Sequence, residues 1–148
     1  MPKVVLDSSV LVSAFLNPTP GGASYELLRF AERGAFALYL SEAIVAETTR
    51  VLITSTRNRS RYHYTEAEVA FYCRTILDFA MVVSEVPEVR GVVRDPNDDM
   101  IIACAMGAGA EYVVTRDKDL LSLGDHQGIS IVTPEVFLHV LRSQPSAR

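Results

Sequence analysis

Acidic residues adjoin apolar runs at four widely separated places in this chain: Asp7 in VVLDSS, Glu47 in SEAIVAETTRVL, Asp99 in DPNDDMIIACA and Asp117 in VVTRDKDLL. Three of these runs have the character of a buried parallel strand or its packed helix, where an ionised carboxylate is costly unless something compensates it. A divalent cation compensates several at once. Mg2+ and Mn2+ take hard oxygen ligands, and a carboxylate cluster without one suffers like-charge repulsion. The four acids therefore point to metal-dependent phosphoryl chemistry. Each also has a plainer reading. Asp7 could cap the next helix, DPNDD could be a turn plus a cap, Glu47 could pair with Arg50 at i,i+3, and Asp117 and Asp119 flank Lys118 in a turn. Three aspartates in DPNDD exceed what one cap requires, and four unrelated caps would not be expected at one sheet edge.

The elements that must position these acids alternate along the chain. Lys3–Leu6 is a β-branched run that feeds helical spacing over Ser8–Phe15, and NPTPGG at 17–22 breaks the chain before a second helix closed by Gly34. Phe36–Leu40 reads as a strand, with Ser41 capping a helix that runs to about Thr54 and carries Glu47. Thr65-Glu66-Ala67-Glu68 is a capping box for the next helix, which holds Val69, Cys73 and Ile76 at helical spacing. Met81–Val86, Glu111–Thr115 and Ile129–Val132 follow as strands. A loop over Pro87–Asn97 and a helix from Asp98 to about Gly107 or Gly109 lie between the first two, and Thr133-Pro134 opens the last helix. Strands separated by helices imply right-handed crossovers and a mostly parallel sheet, and ligands gather beyond the carboxyl ends of such strands. Asp7 and Asp117 fall at that edge by topology alone.

At 148 residues the chain is expected to be one domain, residues 1–148, with 143–148 frayed at the C-terminus. Its 49% hydrophobic and 22% charged content excludes a disordered chain, and no apolar run is long enough to suggest a membrane span. There is no secretory leader pattern, and Cys73 and Cys104 lack zinc-site spacing and read as buried thiols, so a cytoplasmic location is expected. The net charge of −4 argues against bulk affinity for nucleic acid. The stretch from Arg50 to Tyr64 is a local exception. It carries Arg50, Arg57, Arg59, Arg61 and His63 without an acid, and reads either as a solvated helix end or as a contact for RNA or a partner, with Tyr62 and Tyr64 able to stack on bases or to pack on the next helix. No P-loop and no histidine in triad or metal spacing is present.

The segments VVLDSSVLVSAF, SEAIVAETTRVL, DPNDDMIIACAMGAGAEYVVTRDKDLL and SIVTPEVFL, in that order and spacing, resemble the PIN-domain family, in particular its VapC-like toxin branch. The resemblance implies an α/β fold, a Rossmann-like three-layer arrangement with a mostly parallel sheet of about five strands and helices on both faces. It implies a Mg2+- or Mn2+-dependent ribonuclease that forms a homodimer and pairs with a small antitoxin protein. Carried over by position, Asp7, Glu47, Asp99 and Asp117 correspond to the family's acidic quartet of metal-binding catalytic residues. Asp95, Asp98 and Asp119 become supporting acids, and Ser9 stands where the family often has a small polar residue, frequently Asn. Arg116 and Lys118, beside Asp117, join Arg50, Arg57, Arg59 and Arg61 as candidate RNA contacts. The apolar helix faces around Tyr72 and Val136 could serve a dimer or only the core.

The alternative is a PIN-fold module without catalysis that binds RNA or protein through the basic stretch. Two other acidic α/β enzymes fit less well. A haloacid-dehalogenase-like phosphatase needs a second aspartate where Ser9 stands, and a receiver domain needs an acidic pair at its first strand.

Overall fold

A computed structural model describes residues 1–92 and 95–144; Val93, Arg94 and residues 145–148 fall outside it, and with them part of the expected 87–97 loop and most of the expected frayed end. Among the described residues, six strands form one sheet: β1 (Lys3–Leu6), β2 (Ala37–Leu40), β3 (Met81–Val82), β4 (Tyr112–Val114), β5 (Asp125–His126) and β6 (Ile129–Val132), in the order β3-β2-β1-β4-β6-β5. All pairings are parallel except β5 with β6. The expected sheet of about five strands thus gains β5, a two-residue return paired to β6 that is too short for any periodicity to announce. The strand expected over Met81–Val86 is only Met81–Val82.

Eight helices accompany the sheet among the described residues: α1 (Ser8–Leu16), α2 (Ala23–Glu32), α3 (Glu42–Thr54), α4 (Thr56–Tyr62), α5 (Glu66–Leu77), α6 (Pro96–Ala108), α7 (Lys118–Leu121) and α8 (Pro134–Arg142). None is long and apolar enough to cross a membrane. Val4, Val5 and Leu6 are all fully buried. Because successive strand residues point to opposite faces, that pattern requires both faces of β1 to be covered. Helix α6 packs across β1, β2 and β4, while α2 packs on α1 and α8.

Local chemistry explains where the helices begin. Ser41 accepts from Ile44 N, and Thr65 and Glu68 complete the capping box. Thr133 caps α8 with Pro134 in its first turn, where the missing N–H costs nothing. The basic stretch expected as helix end and loop forms α4 instead, capped by Ser55 and ended by His63 in the left-handed region at φ 51°. Tyr64 is buried there. Its hydroxyl donates to Leu52 O at 2.5 Å and its ring meets Phe15 edge-on at 5.0 Å, so it packs on its neighbours and is not available to stack on a base. Tyr72 likewise donates to Leu11 O, whereas Val136 is 49% exposed.

One glycine fixes a close approach. A Cβ on Gly107, inside α6, would lie 2.8 Å from Glu85 O, so this position lets the chain after β3 run against the helix.

Candidate metal centre

The strand order reverses at β1. From there the chain proceeds to β2 and β3 on one side, while β4 and β6 lie on the other, which makes the carboxyl ends of β1 and β4 the switch point of the sheet. Asp7 and Thr115 occupy those ends. Asp7 N donates to Val114 O at 3.0 Å, which ties the two strand exits together.

Asp7 precedes α1 but its side chain makes no cap hydrogen bond. The carboxylate is 4% exposed and is held by hydroxyls: Ser9 Oγ and Thr115 Oγ1 donate to Oδ2 at 2.8 and 2.7 Å, and Ser8 Oγ donates to Oδ1 at 3.3 Å. Hydroxyl donors stabilise a buried anion without cancelling its charge, so it stays available to a cation. Thr115 is a residue of the candidate site that sequence reasoning missed. It is fully buried, and besides serving Asp7 its oxygen accepts from Asp117 N at 2.9 Å, so it sets both acids. A threonine closing an otherwise apolar strand at the ligand edge is the signal that would have found it. Ser9 Oγ also accepts from Arg116 N at 3.1 Å.

Asp117 caps α7, accepting from Asp119 N at 2.7 Å. Besides this local role, one ligand oxygen from each of Asp98, Asp117 and Asp119 lies within 4.8 Å of the others, close enough for all three to share a cation. Asp98 is buried, and its Oδ2 has no hydrogen-bond partner among the described residues. Its pKa is pushed up to about 7, first by burial and then by the charges of Asp117, Asp7 and Asp95. A buried carboxylate with an orphan oxygen, pressed by three other acids, fits a hard divalent cation.

The cleft in front of these groups encloses about 440 Å³ and is lined by Asp7, Ser8, Ser9, Glu47, Arg50, Asp95, Asp98 and Asp117, with Val12, Val51 and Met100. A larger groove of about 700 Å³ shares no lining residue with it and contains one carboxylate, Glu68, among mostly apolar side chains that include Phe15, Tyr25 and Phe71. Charge and not size decides which could hold a cation.

Asp99, expected in the quartet, is turned elsewhere. Its Oδ2 and Oδ1 accept from Gly91 N and Val92 N at 2.9 and 3.1 Å, and it does not line the cleft. Neighbouring helical residues diverge by roughly 100°, so only one of two adjacent aspartates can face the site. Asp98 faces it, and Asp99 anchors Gly91 and Val92. Glu47 reaches the cleft from α3 but is paired with Arg50. Among the candidate RNA contacts, only Arg50 lines the cleft. Arg116 donates to Glu135 and Ser24, Arg59 to Ile53 O, and Arg61 lies over the Tyr62 ring. Arg57 and Lys118 are exposed.

The PIN domain profile matches residues 3–119. The chain belongs to the PIN-domain family. Among solved structures, this PIN domain is similar to VapBC2 from Rickettsia felis bound to a DNA fragment from their promoter, with a TM-score of 0.60 and 17% identity over 87% of this chain and 96% of that one. It is also similar to PAE2754 from Pyrobaculum aerophilum, with a TM-score of 0.57 and 18% identity over 97% of both chains. These likenesses establish the fold. A sequence match to a glutamyl-tRNA(Gln) amidotransferase polypeptide of Archaeoglobus fulgidus, 35% identical over 69 residues, covers 47% of this chain and spans only 15% of that protein's length.

Proposed function

We propose that this PIN domain is a metal-dependent ribonuclease that hydrolyses RNA phosphodiester bonds. The observation that carries the reading is the convergence of Asp98, Asp117 and Asp119 beside Asp7 at the switch point of a parallel sheet, with one buried Asp98 oxygen lacking any partner among the described residues. Asp7, Asp98 and Asp117 are the residues we assign to Mg2+ or Mn2+, with Asp119 and Glu47 at the margin. Asp99 moves from ligand to anchor. Held by these residues, a cation would supply an activated water and charge neutralisation at the phosphodiester. The chain does the rest by placement. Ser8, Ser9 and Thr115 hold Asp7 still, Thr115 fixes Asp117, and Asp98 can carry a proton near neutrality when no cation opposes its neighbours.

The similarity to a VapBC2 complex supports a toxin's role for the chain with a small antitoxin as its partner; a cytoplasmic homodimer is the form in which we propose it acts. A non-catalytic binding module is favoured by one observation, the in-place neutralisation of Glu47 by Arg50. The two readings separate in one assay. Purified protein is incubated with several single-stranded RNAs in Mn2+, in Mg2+ and in chelator, beside the Asp98→Asn variant. Cleavage that needs the cation and disappears in the variant supports the nuclease; equal cleavage by both proteins, or none by either, rejects it.

A further inference from the structure

Arg50 stands one helical turn beyond Glu47 on α3 and shares its cleft with Asp7, Asp98 and Asp117. Among the described lining residues it is the single cation facing five carboxylates, the fifth being Asp95. Its Nη2 and Nε donate to the two oxygens of Glu47 at 2.5 and 3.2 Å, so a planar two-donor fork already holds an oxyanion at the wall of the cleft. The Arg50 side chain is 58% exposed and that of Glu47 only 19%, which puts the guanidinium towards solvent and the carboxylate inward.

An exposed i,i+3 pair is a weak, solvent-screened interaction, so exchanging Glu47 for another oxyanion costs little. An RNA strand entering an acidic cleft meets repulsion from every carboxylate that a cation does not cover, and needs a donor that matches two phosphate oxygens. Arg116, Arg59 and Arg61 are engaged away from the cleft. Resting on the nuclease reading, we propose that Arg50 is the phosphate-positioning residue of this cleft: Glu47 holds its guanidinium ready, and the incoming phosphodiester replaces Glu47 in the fork.

The test reads RNA binding apart from cleavage. Fluorescence anisotropy of a labelled single-stranded RNA dodecamer is recorded in Mg2+ between about 50 and 200 mM KCl, with Asp98→Asn as the parent so that the strand survives. Losing one phosphate contact should lower the slope of log affinity against log salt by about 0.7 in Arg50→Gln. Affinity at the lowest salt should fall about tenfold. Arg50→Lys should restore the slope while binding more weakly than arginine, because an ammonium is a point charge and not a fork. A purely structural role would leave the slope unmoved. A slope in Arg50→Gln equal to the parent's, or no salt-dependent binding by the parent, overturns the proposal. The nuclease reading is judged separately, by cation-dependent cleavage in the unmutated chain.

Discussion

Replacing Asp98 with asparagine should make the metal-free protein more stable above neutral pH while removing its response to a cation. The Asp98 carboxyl has a pKa raised from 3.8 to about 7 in the fold, by burial first and then by the charges of Asp117, Asp7 and Asp95. Because the folded value exceeds the unfolded one, the folded state is favoured fully below about pH 4. That advantage is lost progressively as pH rises through about 7. A shift from 3.8 to about 7, at 1.36 kcal/mol per unit, sets a ceiling of about 4 kcal/mol. Sharing with Asp117 and solvent entering the open cleft reduce this to about 1–2 kcal/mol. For a chain of this size that corresponds to roughly 3–6 °C in Tm. Thermal unfolding followed by circular dichroism in chelator should therefore show Asp98→Asn above wild type at pH 8, with the gap clearly narrower at pH 5 and closed below about pH 4. Added Mn2+ should raise the wild-type Tm by mass action and leave the variant unmoved. A variant that is no more stable than wild type at pH 8, or whose advantage is the same at pH 5, would refute the electrostatic reasoning behind the site.

Three further outcomes follow from the same geometry. Asp99→Asn retains one acceptor for the two N–H groups of Gly91 and Val92, so it should cost about 1–3 kcal/mol and speed hydrogen exchange at those amides, while calorimetry finds Mn2+ affinity within a fewfold of wild type. Collapse of Mn2+ binding in this variant would return Asp99 to the ligand set. Thr115→Val removes the hydroxyl shared by Asp7 and Asp117 N and should cost about 2 kcal/mol in urea unfolding, with weaker Mn2+ binding; an unchanged midpoint contradicts its assigned role. Gly107→Ala would ordinarily favour a helix by about 1 kcal/mol. Here the added Cβ meets Glu85 O at 2.8 Å, and we expect a loss of about 1–3 kcal/mol instead; a stabilised variant would show that the segment gives way freely.

Where an element is specified by neighbours in sequence, the sequence reading and the structure coincide. Ser41, the Thr65–Glu68 box and Thr133-Pro134 act within a single turn, so their helices start where local chemistry dictates. The apolar run Val4–Leu6 of β1 is buried on both faces, as a central strand of a parallel sheet must be, and that topology carries Asp7 and Asp117 to one edge. The shorter elements are not legible in the same way, because β5, with two residues, and α7, with four, are too brief for a period to register. Tyr64 is ambiguous in sequence for another reason: an aromatic beside a basic stretch suits either a base or a core, and only the fold supplies Phe15 and Leu52 O.

The amino-acid sequence by itself thus determined that carboxylates from distant segments would meet beyond the strand ends, since strand order and crossover hand leave them no other edge. Which of two adjacent aspartates enters the cleft, that Thr115 governs two acids, and that Arg116 turns to Glu135 were decided by tertiary structure. Each depends on a side chain's direction relative to a partner far along the chain or about 100° around a helix, and residue type and spacing do not encode that direction.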